Sequence, residues 1–207
     1  MVLDHPDLRF RIGLSDWRNV ANQVLTRSVD LGFAEISMVK SDGRLQTKLV
    51  GEHELIFYCR RGHPLSGLVK VSKSDLDRYP VATVRLPDRM VKVFPGKSDY
   101  DEEKKCLNPS IVVEDLTTAL AIVMESDAFS VAAPLQIEPW LHSGELRVLP
   151  YRAPWLKLNY DFISLRGRML APAAEVFMQL IQRIEEELAP RNRELIQQIS
   201  STSGGDE

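Results

Sequence analysis

At 207 residues the chain is long enough for one large or two small α/β domains, each able to bury a core of its own. Its 44% hydrophobic and 27% charged residues are ordinary globular composition, which argues against wholesale disorder and fibrous architecture. A net charge of −3 argues against a dominant nucleic-acid surface, because counterion release on a duplex needs clustered Lys and Arg. The two cysteines, Cys59 and Cys106, have neither the number nor the spacing of a disulfide framework or a zinc site, which fits a reducing cytoplasm. Met1-Val2-Leu3-Asp4-His5-Pro6-Asp7 has no basic leader and no long apolar core, so no secretory signal is expected. No apolar run approaches the ~18 residues that cross a bilayer.

Leu8-Arg9-Phe10-Arg11-Ile12-Gly13-Leu14 alternates apolar and polar residues and predicts a strand. Asp16 then caps a helix carrying Trp17, Val20, Val24 and Leu25 on one face. Leu31 to Ile36 reads as a buried strand, Ser41-Asp42-Gly43 as a turn, and Leu45 to Val50 and Glu54 to Arg60 as two further strands. Ser74-Asp75 offers a cap for a short helix ending before Tyr79-Pro80, and Val81 to Val84 is the next strand. Residues 85–110 hold three prolines and the charged run Asp99 to Lys105, which predicts loops around one short solvated helix. Ser110 to Val113 is a strand, Leu116 to Glu125 an apolar helix, and Phe129 to Ala133 a short strand, with Pro134 marking a turn. Gly144 to Pro150 and Leu156 to Leu165 are strands, the second long enough to cross between lobes. Ala171-Pro172 opens a helix with Val176, Phe177, Leu180, Ile181, Ile184 and Leu188 at intervals of three and four. Pro190 is expected to break or bend it, with Arg191 to Ile199 as a last helical turn or two, and residues 200–207 to form a disordered tail.

His63-Pro64-Leu65 is the most informative stretch. It follows the strand pattern of Leu55 to Cys59 and precedes Asp75-Leu76 and Tyr79-Pro80. Together with Asp30-Leu31-Gly32-Phe33-Ala34 upstream and Val113-Glu114-Asp115, Pro134, Gly144-Glu145-Leu146, Leu149-Pro150 and Ala171-Pro172-Ala173-Ala174 downstream, it resembles the effector-binding domain of LysR-type transcriptional regulators. The resemblance covers roughly residues 3 to 190. It implies a type 2 periplasmic-binding-protein-like α/β fold, two Rossmann-like subdomains joined by two crossover strands. Lobe one would take residues 1–82 and 164–199 and lobe two residues 83–163.

Two departures from the family pattern stand out. Ser28-Val29-Asp30 and Ser126-Asp127-Ala128 occupy places where the family usually has glycine, and Asp127 is expected to take the left-handed backbone that the glycine would. The other is that the family's helix-turn-helix, linker helix, and first strand and helix of lobe one have no counterpart ahead of residue 3. That first strand lies inside the lobe-one sheet, so the resemblance implies an incomplete lobe one, from a trimmed chain or a misassigned start codon at Met1, and DNA binding only through an absent N-terminal domain.

Open α/β sheets bind ligands beyond the carboxyl ends of their strands, and two-lobed proteins bind at the hinge. On that reading the ligand-binding candidates are Thr83, Val84 and Arg85 at a first crossing, Phe129, Ser130 and Ala133 in the second lobe, and Phe162 and Ser164 near the return crossing. Thr83 offers a hydroxyl, and Arg85 a bidentate grip on a small carboxylate or other anion. His63 ends a strand and turns the chain in lobe one, a structural role. His5, His53 and His142 have no partners at metal-ligand spacing, so neither a metal nor another cofactor is expected. Asp99, Asp101 and Glu103 lack the glycine and terminal glutamate of a calcium loop and read as the solvated helix start. Trp140 and Trp155 read as core or rim of lobe two, and Cys59 as a small buried apolar residue. The resemblance implies a non-enzymatic cytoplasmic sensor of a small-molecule effector, assembled as a homodimer or tetramer through the helix at Trp17 to Arg27 and the run Leu8 to Leu14, with no membrane partner. The alternatives are a solute-binding protein of the same fold, which would carry a signal peptide, and an enzyme such as a prephenate dehydratase, whose Thr-Arg-Phe segment is not found.

Overall fold

The structure, a computed structural model, describes residues 9–35, 42–86, 90, 93–101 and 106–202. They divide into two compact units, one from residues up to Glu52 together with Leu158–Pro190, the other from His53–Lys157 together with residues from Arg191 onward. The expected lobe limits differ from this division. Residues 53–82 pack with the second unit, because β3 (Ile56–Arg60) is the ladder partner of strands there.

In the first unit, α1 (Trp17–Leu25) starts where expected: the Asp16 carboxylate accepts from the N–H groups of Arg18 and Asn19 at 2.9 and 3.0 Å. The strands β1 (Gly32–Glu35), β2 (Leu45–Glu54) and β10 (Lys157–Leu165) form a sheet in the order β1-β10-β2, with β1 antiparallel to β10. Ala21 and Val24 of α1 bury against Leu45 and Ile163. Gly32 makes that approach possible, since a Cβ there would lie 2.6 Å from Val20 Cγ1. Residues 9–14 are not a strand, contrary to the alternation of their side chains. Among the described residues none pairs with them, and Ile12 and Leu14 stay 79% and 75% exposed; alternation is a preference that becomes a strand only when a ladder partner is present.

The connection from α1 to β1 closes mainly on backbone bonds, beside which the Thr26 hydroxyl donates to Asn22 O at 2.9 Å. The Ser28 N–H donates to Gln23 O at 2.8 Å and the Arg27 N–H to Val24 O at 3.1 Å, the paired bonds of a Schellman turn. The left-handed position that glycine usually fills is Arg27, at φ 61°.

In the second unit, β8 (Phe129–Ala132), β3 and β9 (Leu146–Val148) form a sheet in the order β8-β3-β9, both ladders antiparallel. The parallel pair β4 (Ala82–Val84) and β7 (Ile111–Val113) joins it through a parallel bridge between Val81 and Phe129. On one face, α3 (Leu116–Met124) and α4 (Pro134–Ser143) help bury Tyr58, Leu120, Val123, Ala132, Ile137 and Leu146. On the other, Phe57 meets Phe94, Phe129 and Tyr151 at ring-centroid separations of 5.7, 6.0 and 5.2 Å. Helix α2 (Lys73–Leu76) is capped by Ser72, reciprocally with Asp75, two residues earlier than Ser74-Asp75 suggested.

Three expectations are corrected here. In place of a solvated helix after residue 98 there is an antiparallel pair, β5 (Ser98–Asp101) and β6 (Cys106–Pro109), for which a short isolated helix is a poor competitor; Glu103 lies outside the described residues. Pro134 does not mark a turn but opens α4, where its missing N–H costs nothing because the first helical donors have no partner in the helix. Pro190 does not break the last helix: α5 runs Pro172–Thr202, 31 residues, so Arg191 to Ile199 are helical as expected but continuous with the rest, and the first three residues of the expected tail are helical too. The rest of the tail lies outside the described residues.

Candidate ligand-binding site

The carboxyl ends of the parallel strands β4, β7 and β8 gather Val84, Arg85 and Ala133 in the second unit. Residues directly opposite in a ladder share a sheet face. Thr83 pairs with Val112, and by the Val81–Phe129 register it shares a face with Val131, which pairs with Phe57. Its hydroxyl is therefore set in an apolar row, and it is 1% exposed, with no hydrogen-bond partner for Oγ1 among the described residues. A buried hydroxyl left unsatisfied costs about 1–3 kcal/mol, so the position calls for an explanation. Val84 and Arg85, the next two residues, are exposed, and Ala133 is buried with its N–H donated to Gln136 Oε1 at 3.1 Å.

Other candidates fall elsewhere. Ser130 pairs with Tyr58, which turns its hydroxyl to the sheet face opposite Thr83, among the helices. Both hydroxyls there are buried without a bond of normal length, and burial pushes the Tyr58 phenol up to about 12, against a smaller lowering by Ser130. Phe129 is fully buried in the aromatic cluster. Phe162 and Ser164 lie in the first unit on β10, where Phe162 is buried with its ring 5.5 Å from that of Phe33 and Ser164 is half-buried.

His63 has the structural role expected of it, though within the second unit. The Leu65 N–H donates to Nδ1 at 3.0 Å, which leaves the proton on Nε2 to donate to Asp127 O at 3.1 Å. Both nitrogens are used in the neutral form, and burial holds the imidazole below its ordinary pKa. Arg60 reaches the same loop, with Nε on Ser126 O at 2.9 Å and a terminal nitrogen on Asp127 Oδ1 at 2.7 Å. These anchors replace the glycine of the family pattern. Among the described residues the only non-glycine at positive φ is Arg27, so Asp127 does not take the left-handed backbone expected of it. Cys59 is buried on β3, and burial pushes its thiol up to about 12. Trp155 stands edge-on to Phe94 at 6.1 Å, and Trp140 packs against the helical core of the second unit.

The family model of the LysR substrate binding domain matches residues 3–185. The chain belongs to this family. The SDS degradation transcriptional activation protein of Pseudomonas sp. (strain ATCC 19151) is 26% identical over 182 residues, which are 86% of this chain and 58% of that relative. The chain thus spans less than two thirds of the relative's length. Among solved structures, the regulatory domain of Synechocystis PCC6803 CcmR in complex with 2-PG is similar with a TM-score of 0.64 at 12% identity, covering 89% of this chain and 86% of that one. The effector binding domain of QuiR in complex with shikimate is similar with a TM-score of 0.60 at 18% identity, covering 90% and 86%. At such identities the likeness shows the fold, the type 2 periplasmic-binding-protein-like α/β fold of LysR substrate binding domains.

Proposed function

We propose that this domain senses a small-molecule effector for a LysR-type transcriptional regulator and holds it at the carboxyl ends of β4 and β8, with Thr83, Val84, Arg85 and Ala133 as its contacts in the second unit. The observation that carries the reading is the Thr83 hydroxyl, buried and without a partner among the described residues, one residue before the exposed Val84. A ligand oxygen or N–H reaching it would satisfy a group that the protein leaves unsatisfied. Arg85 makes a carboxylate or another small anion the favoured class, because a guanidinium matches two oxygens in one plane. The similar structures in complex with shikimate and with 2-PG support a small polar effector.

Regulation follows from differential affinity. An effector shifts the regulator between arrangements on DNA only by as much as it prefers one of them. DNA contact would come from a part of the regulator other than this domain, whose net charge is −3. The working protein would be a non-enzymatic cytoplasmic homodimer or tetramer, with α1 at the contact; sedimentation that finds only monomer at micromolar protein would count against the assembly. The sensing itself is tested by a thermal-shift screen with small carboxylates, aromatic acids, amino acids and sugar acids. A reproducible upward shift in the parent chain that is lost in Thr83→Val and in Arg85→Ala is the expected result. A shift that survives both substitutions would place the effector elsewhere.

A further inference from the structure

Helix α4 begins directly after Ala133 and has no side-chain cap of its own: Ala133 occupies the N-cap position. The first N–H groups of a helix have no partner within it, and one of them, at Leu135, is taken by a side chain distant in sequence. Asn192 Oδ1 accepts from the Leu135 N–H at 3.3 Å, and Asn192 is 3% exposed. Its neighbour Arg191 bridges both oxygens of Glu138, at 2.9 and 2.8 Å, one turn further along α4. Glu138 is only 9% exposed, so Arg191 neutralises a carboxylate that is largely out of water. Leu195, Ile196 and Ile199, on the same side of α5 as Asn192 by helical spacing, are half-buried while Arg193, Glu194 and Gln197 are exposed.

Pro190 stands immediately before these anchors and is the last residue of α5 in the first unit. Having no N–H, it leaves the Glu186 carbonyl without its bond along the helix, so the ladder is weakest just ahead of Arg191. We infer that residues 191–202 of α5 are a strap that caps α4 in trans: Asn192 and Arg191 hold the strap down, and the docked strap fixes the backbone at Ala133–Leu135. Asn192 is a positioning residue. It acts on the carboxyl end of β8 through the start of α4, and strap docking and α4 order rise and fall together, as linkage requires. The inference goes beyond effector sensing and stands without it.

The test is site-resolved amide hydrogen exchange on the full chain without added ligand. Asn192→Ala should speed exchange at Leu135 roughly fivefold, the loss of one ordinary hydrogen bond read as local opening, and should also raise exchange across 193–199. Asn192→Asp, which keeps an acceptor at the same place, should restore protection at Leu135. Glu138→Gln, which weakens the other anchor while leaving Asn192 intact, should loosen 193–199 and Leu135 together. Unchanged Leu135 exchange in Asn192→Ala, or a strap that loosens in Glu138→Gln while Leu135 stays protected, would overturn the coupling. Because no effector enters the experiment, its failure leaves the sensing proposal standing, and failure of the sensing screen leaves the strap standing.

Discussion

The α1-to-β1 connection in the first unit and the α3-to-β8 connection in the second do the same job, turning a helix into a strand without glycine, and they do it by different physics. Residues 26–31 close mainly through backbone bonds and the local Thr26 hydroxyl, with an exposed Asp30–Arg168 pair at 3.0 Å, and Arg27 bears a left-handed conformation that costs an L-residue roughly 1–2 kcal/mol. Residues 125–128 need no left-handed residue. Ser126 Oγ donates to Ile122 O at 2.6 Å and accepts from the Ala128 N–H at 3.1 Å, and Arg60 and His63 grip the loop from β3 and the turn after it. A lost glycine is thus absorbed either as backbone strain or by importing side chains from a neighbouring strand. The second course makes the loop hostage to distant residues.

That contrast orders the expected mutational effects. His63→Ala should be the most damaging change, about 2–3 kcal/mol, since it leaves the Leu65 N–H and Asp127 carbonyl unpaired and removes the ring packed 4.6 Å from Tyr79. Denaturant unfolding with a probe in the second unit would measure it. His63 also predicts a pH dependence. Its folded pKa is lowered below the ordinary 6.5, so the unfolded chain binds the proton more readily, and stability should fall as pH drops below about 6.5. His63→Gln should flatten that slope; an unaltered slope would assign it to other groups.

Arg60→Ala should cost about 1–2 kcal/mol, through two hydrogen bonds one of which is to a partly exposed carboxylate. In the first unit the sign reverses: Arg27→Gly should stabilise by up to about 1 kcal/mol, because the strain released exceeds the entropy that glycine adds to the unfolded chain. The smallest effect belongs to Asp127→Gly, which restores the family's glycine where the backbone no longer asks for it. It should lower stability by less than about 1 kcal/mol, through loss of the Arg60 pair together with the entropy that glycine adds to the unfolded chain. A stabilised Asp127→Gly, or a destabilised Arg27→Gly, would break the comparison.

The regular elements were largely legible, because strands such as Phe129–Ala132 and helices such as α1 and α3 carry their own apolar pattern and caps. Residues 9–14 are not legible as loop because alternation says nothing about whether a ladder partner exists. The β5–β6 pair is not legible because a charged run looks the same in a solvated helix and in a polar ribbon. The lobe limits followed the strand at Val81–Val84, whereas β3 pairs with β8 and β9, a long-range fact that no local pattern carries. At the candidate site, proximity in sequence put Phe129, Ser130 and Ala133 together, but the pleat turns Ser130 away from Thr83, and only the register tells which residues share a face. The Asn192 and Arg191 anchors had no signal beyond polar residues after a proline.

The most direct test of the account is the melting temperature of Thr83→Val, alone and with a carboxylate that shifts the parent chain. An orphaned buried hydroxyl replaced by a methyl should raise the ligand-free melting temperature, by the equivalent of about 1 kcal/mol, and abolish the ligand-induced shift. A lowered ligand-free melting temperature together with an intact ligand shift would mean that Thr83 is a satisfied structural residue and that the effector binds elsewhere.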